Sequence, residues 1–151
     1  MNMNMVQHYR SLQNQHGASA AYRLREAKLR AKIDAVWDDA EEKGLVRVRV
    51  ERDNDICYED LAGDCYDVEY NKDTVPGGAR AIRAQEREFQ RLIERDGVWG
   101  YVSEVWRGCD ACGRGEWEHV DSCWGFAGGV YEDEIYHAKY AALVAARIIA
   151  A

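Results

Sequence analysis

Apolar side chains recur at helical spacing in the first part of the chain, between Ser19 and Lys43. The positions that share one face are Tyr22, Leu29, Ile33, Val36 and Ala40. This spacing predicts a helix with one buried stripe. Gly44 predicts the end of that helix, because glycine readily adopts the left-handed conformation found after many helices. A shorter helix is predicted before Gly17, so that residues 1–44 form a helical N-terminal part.

The same periodicity predicts two later helices, at residues 79–96 and 133–150. Their apolar positions are Ile82, Phe89 and Ile93 in the first, and Ile135, Ala138, Ala142, Ala145 and Ile149 in the second. Residues 53–78 show neither the helical nor the strand period and contain several Asp, Asn, Pro and Gly residues typical of turns. We therefore expect a long loop there, with one turn of helix at Tyr58–Leu61.

Strands are predicted where apolar and charged residues alternate with a period of two. Leu45–Glu51 alternates in this way, with Arg47, Arg49 and Glu51 on the face expected to be exposed. Residues 98–106 and 116–126 predict two more strands, joined as a β-hairpin by a tip at 109–115. The predicted fold class is α+β, with a small antiparallel sheet of three or four strands, including this Trp-rich hairpin, packed with about four helices.

The length of 151 residues predicts a single domain covering residues 1–151, in which an α+β core at 45–151 follows the helical part. The longest apolar stretch, Tyr140–Ala151, is too short to cross a bilayer. The N-terminal residues lack the layout of a signal peptide, and five cysteines are an odd number, as expected for thiols in a reducing compartment. These features predict a cytoplasmic protein.

Acidic residues are concentrated in the middle of the chain. Residues 51–73 contain nine Asp or Glu and two basic residues, a net charge of −7, which equals that of the whole chain. Dense negative charge repels nucleic acid and attracts basic surfaces. The segment therefore predicts a partner-binding surface, with a simple solvated loop as the alternative. The residues expected to contact the partner are Asp53, Asp55, Glu59, Asp60, Asp64 and Asp67.

Two cysteines in the predicted hairpin tip have the spacing of a metal knuckle. Cys109 and Cys112 are followed by Gly113, a pattern that can direct two thiolates at one zinc ion. His119 is the next candidate ligand, whereas Cys123 would lie about 20 Å down the strand at about 3.3 Å per residue. The predicted metal ligands are Cys109, Cys112 and His119, with a metal-free Gly-rich turn as the alternative. The expected cofactor is therefore none or zinc.

No catalytic set is evident in the sequence. No Ser or Cys has an obvious partner base, and there is no Gly-rich phosphate loop, so we predict that the protein is not an enzyme. The hairpin strands carry more acidic than basic residues, which disfavours nucleic-acid binding by their aromatic rings. We therefore expect these aromatic residues to form core. A small zinc-binding or dimeric scaffold or regulatory protein is the alternative function. A homodimer is considered because the C-terminal helix is rich in apolar residues: Tyr136, Tyr140, Leu143, Ile148 and Ile149.

Residues 97–126 hold four of the five tryptophans and three of the five cysteines. The sequence motifs are GDCYD at 63–67, GVWG at 97–100, CDACG at 109–113 and VDSCWGF at 120–126, followed by Gly128. With these motifs, roughly residues 55–130 resemble a group of small, largely uncharacterised phage and prophage proteins. The resemblance implies a mobile-element accessory protein in a bacterial host. In that context it implies an anti-defence role, anti-CRISPR or anti-restriction, exerted on a host defence complex without direct contact to nucleic acid or membrane.

Overall fold

The computed structural model of the chain describes residues 20–109 and 111–151. Its elements, in chain order, are α1 (Ala20–Glu42), β1 (Val46–Arg52), α2 (Tyr58–Ala62), a 3₁₀ helix (Gly63–Tyr66), α3 (Val68–Asn71), α4 (Gly78–Asp96), β2 (Val98–Gly108), β3 (Gly115–Ala127) and α5 (Glu132–Ala145). The strands form one antiparallel sheet in the order β1-β2-β3. The predicted α+β class and the Trp-rich hairpin are confirmed. The short helix predicted before Gly17 lies outside the described residues.

The turn of helix predicted at Tyr58–Leu61 is confirmed as α2, whereas the loop predicted after it is wrong at residues 63–71, which form the 3₁₀ helix and α3. These elements are four or five residues long, too short to show a periodic apolar stripe. They are stabilised instead by capping side chains, described below. No fourth strand is present in the part of the chain that the structure describes.

The described residues group into two compact units. The first unit comprises 52–99 and 125–129, and the second comprises 20–51, 100–124 and 130–151. The predicted domain division stays a prediction.

The core of the second unit forms where α1 packs against α5. Its buried residues are Ile33, Trp37, Ala40, Val46, Ala142, Leu143 and Ile149. Trp37 was missed by the predicted stripe, whereas Leu29, which the stripe included, is 41% exposed. Periodicity identifies a helix face but does not show how far along the helix a neighbour covers it. Leu143 and Ile149, predicted as dimer-surface residues, belong to this core.

The first unit has its own buried residues. Leu61 and Ala62 of α2, Ile82 of α4, Val98 of β2 and Phe126 of β3 are at most 4% exposed. In α4 the predicted stripe is correct, since Ile82 is buried and the later stripe positions are partly buried.

Backbone hydrogen bonds fix the register between β1 and β2. The amide of Trp106 donates to the carbonyl of Leu45 at 2.9 Å, and the amide of Asp53 donates to the carbonyl of Val98 at 2.8 Å. In this antiparallel register Arg47 lies opposite Glu104. Glu104 is only 8% exposed, and its Oε2 accepts from Arg47 at 2.6 Å and from Arg49 at 2.9 Å. The face of β1 predicted to be exposed is therefore partly covered by a charged network.

The hairpin strands differ in length. A backbone bond from the Cys109 amide to the Arg114 carbonyl closes one end of the hairpin, and a bond from the Gly128 amide to the Gly97 carbonyl closes the other. Between these two bonds, β2 has 11 residues and β3 has 13. Two residues of β3 are therefore in excess of the pairing, which requires bulges. Gly125, with φ of 89°, provides one position where β3 leaves regular strand geometry.

The last helix is shorter than predicted. It ends at Ala145 instead of residue 150, because Arg147 has φ of 59° and reverses the chain. The Ile148 amide bonds to the Leu143 carbonyl, and the Arg147 amide bonds to the Val144 carbonyl, both at 2.9 Å. This is a Schellman motif, which usually has glycine at the left-handed position. Because Arg and not Gly occupies that position, the apolar periodicity of the sequence predicted a helix that extends beyond its observed end.

Replacing Glu104 by Gln should lower the free energy of unfolding at pH 7 by about 2 kcal/mol, because two charge-assisted hydrogen bonds are weakened. Arg47, with Arg49, holds the pKa of Glu104 below its usual range. The stabilisation is therefore complete above the unfolded-state pKa of about 4.3 and is lost as the pH falls through the lower folded-state pKa. Urea denaturation should show the variant and the parent protein converging below about pH 4.

The matched control is Glu118→Gln, which removes an exposed carboxylate paired with Arg107 at 3.1 Å. It should change stability by at most about 0.5 kcal/mol. A stability difference for Glu104→Gln that stays constant from pH 7 to pH 3 would contradict the assigned ion pairs.

Replacing Arg147 by Gly should raise the free energy of unfolding by about 0.5–1 kcal/mol, since glycine adopts a positive φ without the steric cost of a Cβ. Arg147→Ala keeps the Cβ and serves as the control, with no gain expected. Thermal denaturation of both variants checks this, and equal melting temperatures would contradict it.

Candidate functional site

The acidic segment, defined as residues 53–73, is held together by its own side chains. The Oδ1 atom of Asp53 accepts hydrogen bonds from the amides of Asp55 and Ile56, at 3.1 and 3.2 Å. The carboxylate of Asp67 caps the N-terminus of α3 by accepting from the Tyr70 amide at 3.1 Å. Asp67 thus satisfies a backbone donor that a short helix leaves unpaired, whereas Asp53 satisfies two amides in the turn before α2.

Asp60 forms a third such contact, at the start of α2. Its Oδ2 accepts from the Cys57 thiol at 2.9 Å and from the Cys57 amide at 3.4 Å. The hydrogen bond from the thiol lowers the pKa of Asp60. Three of the six predicted contact residues, Asp53, Asp60 and Asp67, therefore shape the acidic segment.

The end of the acidic segment is fixed by Asn71. Its side-chain amide donates to the carbonyls of Asp64 at 2.8 Å and Asp67 at 2.9 Å. These bonds tie the last residue of α3 back to the 3₁₀ helix. The three short elements thus form one hydrogen-bonded group.

Aromatic rings anchor the acidic segment on α4. The Tyr58 and Tyr66 rings lie 6.0 and 5.5 Å from the Phe89 ring. The Tyr58 hydroxyl donates to Glu86 at 2.9 Å. Burial, with the neighbouring Glu86 carboxylate, raises the pKa of Tyr58 to about 12, and burial raises the pKa of Tyr66 to about 12. Both hydroxyls therefore stay protonated at neutral pH.

The other predicted contact residues, Asp55, Glu59 and Asp64, are exposed to solvent. They lie within the same ordered segment as the capping carboxylates. Glu69 is also exposed and pairs with Lys72 at 2.7 Å. The structure thus presents carboxylates at defined positions on short helices, an arrangement suited to a basic partner surface.

The hairpin tip carries the two cysteines of the predicted metal knuckle. The Gly113 amide donates to the Cys109 carbonyl at 2.9 Å, and Gly113 has φ of 67°. Both thiols are exposed. The Cys112 thiol, with the backbone amides of Cys112 and Ala111, lowers the pKa of Cys109. A lowered pKa favours the thiolate, which is the form that binds metals.

His119, the third predicted ligand, is also exposed. Its Nε2 lies 3.1 Å from the Ser122 hydroxyl oxygen. Within residues 20–109 and 111–151, no three His, Cys, Asp or Glu side chains are grouped so that they could hold a metal ion. Cys109 and Cys112 therefore have no third candidate ligand grouped with them among the described residues.

Sequence reasoning missed the contact between His119 and Ser122. Residues three apart on a regular strand point to opposite faces. The strand period therefore gave no reason to expect this contact. In the same strand Asp121 accepts from the hydroxyl of buried Tyr101 at 3.1 Å.

The hairpin aromatics are used largely in packing. Tyr101 is 3% exposed, the guanidinium of Arg47 lies 4.1 Å from the Trp117 ring centre, and the rings of Trp106 and Trp117 are 5.4 Å apart. Trp124 is 38% exposed. Its ring covers Gly100, where a Cβ would come within 2.2 Å of it. Gly100 and Trp124 thus fit together across the two strands.

Comparisons with protein-family models, with curated proteins and with solved structures found no match. Among the described residues, the helices are too short or too polar to cross a membrane.

Replacing Asp67 by Ala should weaken α3, since loss of an N-cap carboxylate costs about 1 kcal/mol. Hydrogen exchange of the amides at 68–71 should accelerate while exchange in β2 stays unchanged. Asp64→Ala is the control, because the backbone carbonyl of Asp64, and not its carboxylate, accepts the hydrogen bond from Asn71. Equal acceleration in both variants would contradict the capping role of Asp67.

Proposed function

We propose that the protein is a phage or mobile-element accessory protein that binds a host defence complex, a CRISPR-Cas or restriction nuclease, and inhibits it through the acidic segment. The observation that carries the proposal is the net charge of −7 within residues 51–73. Much of this charge lies on short helices whose N-termini are capped by carboxylates of the same segment. The proposed site of action is the bacterial cytoplasm. The resemblance of residues 55–130 to phage and prophage proteins supplies the biological context.

Order in the acidic segment favours this mode of action. A nuclease groove that binds DNA is lined with Lys and Arg, which contact phosphates. Carboxylates held at fixed spacing can occupy such a groove at a smaller entropic cost than a flexible acidic tail. The long-range attraction also speeds the encounter of the two proteins.

Some carboxylates of the acidic segment accept hydrogen bonds from its own backbone, and the test of the proposal leaves these unchanged. Charge reversal of Asp53, Asp60 or Asp67 would remove backbone caps, so a loss of binding would have two explanations. Asp55, Glu59 and Asp64 are exposed and are the better test set, because their neutralisation leaves the capping carboxylates in place.

The triple variant Asp55→Asn, Glu59→Gln, Asp64→Asn should lose inhibition of DNA cleavage. The assay uses a panel of purified Cas effectors and restriction endonucleases with labelled DNA. The inhibitory constant should rise by about 10- to 100-fold, since each exposed charge contributes about 0.5–1 kcal/mol. Inhibition by the parent protein should also weaken as salt is raised, because exposed charges are screened.

The control neutralises three exposed acids of α1, Asp38→Asn, Glu41→Gln and Glu42→Gln, with the same change of charge. It should keep inhibition within about two-fold of the parent protein, since screened charges outside the contact contribute little. Equal weakening by both triple variants would show that only net charge matters. Absence of inhibition across the panel would contradict the proposal itself.

A further inference from the structure

The two faces of the sheet differ in their surroundings. One face packs on helices, because Val46 belongs to the core formed with α1 and α5, and the Ser103 hydroxyl donates to the carbonyl of Ala138 in α5 at 2.7 Å. Side chains alternate along a strand, so Arg47 and Glu104 stand on the opposite face. This opposite face is termed the outer face.

Tryptophan rings of the outer face lie over glycines that leave room for them. A Cβ at Gly100 would come within 2.2 Å of the Trp124 ring, and a Cβ at Gly108 or Gly115 would come within 2.6 Å of the Trp106 ring. Because the Trp124 ring rests on Gly100, the rest of its surface is turned outward, and the residue is 38% exposed. Trp124 therefore offers an apolar ring surface to a ligand.

The charges of the outer face balance one another. Glu104 accepts from Arg47 at 2.6 Å and from Arg49 at 2.9 Å, and Arg49 also pairs with Glu51. Two arginines and two glutamates sum to a net charge of zero. Binding of nucleic acid depends on an excess of positive charge that displaces counterions. The balance on this face therefore favours an uncharged ligand.

Hydrogen-bonding groups of the outer face remain accessible to solvent. The side chains of Arg49 and Glu51 are 42% and 39% exposed, and the register of β1 and β2 places Glu51 opposite Gly100. His119 lies two residues after Trp117 and Ser122 two residues before Trp124, the spacing that shares a face on a strand. The outer face thus combines an exposed aromatic ring with hydrogen-bond donors and acceptors.

We infer that the outer face binds an uncharged saccharide, with Trp124 as the platform on which one sugar ring stacks. A pyranose has an apolar C–H face that packs on an aromatic ring, and hydroxyls at its edge that both donate and accept hydrogen bonds. The Arg49 guanidinium can donate to these hydroxyls, and the Glu51 carboxylate can accept from them. This inference uses no residue of the acidic segment and is independent of the proposed function.

A proline-rich peptide is the other uncharged ligand that packs on aromatic side chains. Proline has no backbone N–H, so such a peptide supplies acceptors and few donors. The outer face presents acceptors of its own in Glu51 and Ser122, which require donors from the ligand. Sugar hydroxyls supply these donors, and a saccharide therefore fits the polar groups of this face better.

The test titrates the full chain, labelled with ¹⁵N at its five tryptophans, with maltohexaose, cellohexaose and N-acetylchitohexaose in separate experiments. At least one of these oligosaccharides should shift the indole resonance of Trp124 in a saturable manner. The resonance of Trp37, which is buried in the core, should stay unchanged. No shift of Trp124 with any of the three at millimolar concentration would overturn the inference. A shift produced only by decaproline or by oligothymidine would overturn it as well.

Trp124→Ala should weaken binding of the active oligosaccharide by at least about 10-fold in calorimetry, because the stacking surface is lost. Trp124→Phe keeps a smaller ring and should weaken it less. Tyr70→Ala is the matched control, since it removes an aromatic side chain of α3 from a residue that is 79% exposed, and it should leave the affinity unchanged. Circular dichroism checks that each variant is folded. Equal weakening by Trp124→Ala and Tyr70→Ala would contradict the assigned platform.

Discussion

Glu104 is the constraint on which the register of the sheet depends. It lies on the central strand and is almost fully buried, so an unpaired negative charge there would be costly. A slip of one residue in β1 would turn Arg47 and Arg49 to the opposite face of the sheet, away from the Glu104 carboxylate. The Arg47 guanidinium also stacks on Trp117 of β3, so this ion pair links all three strands.

Long periodic elements were predictable from the sequence, whereas short and irregular ones were not. The helices α1 and α4 and the hairpin strands were predicted to within a few residues, because each buries a face through several periods. In the acidic segment the turn of helix at α2 was predicted, but the 3₁₀ helix and α3 were missed, since such short helices depend on individual contacts such as the Asp67 cap. The end of α5 was missed because Arg147 takes a conformation that sequence reasoning assigns to glycine.

The candidate sites were predictable in residue identity but only partly in arrangement. The spacing of Cys109 and Cys112 predicted a knuckle, and the structure places both on a turn in which the Gly113 amide donates to the Cys109 carbonyl. The contact of His119 with Ser122 joins residues three apart on β3, which the strand period assigns to opposite faces. For the acidic segment, composition indicated the negative charge. It could not show that Asp53, Asp60 and Asp67 accept hydrogen bonds from backbone amides while other acidic residues of the segment are exposed to solvent.

The excess residues of β3 have a further consequence for the outer strands of the sheet. β1 and β3 are the edges of a three-stranded sheet, and unprotected edges can pair with other chains and seed aggregation. Bulges interrupt the row of backbone donors and acceptors along β3, and charged side chains line β1. A sheet protected in this way resists strand addition from a neighbouring molecule. Association between copies would then be restricted to contacts made by side chains.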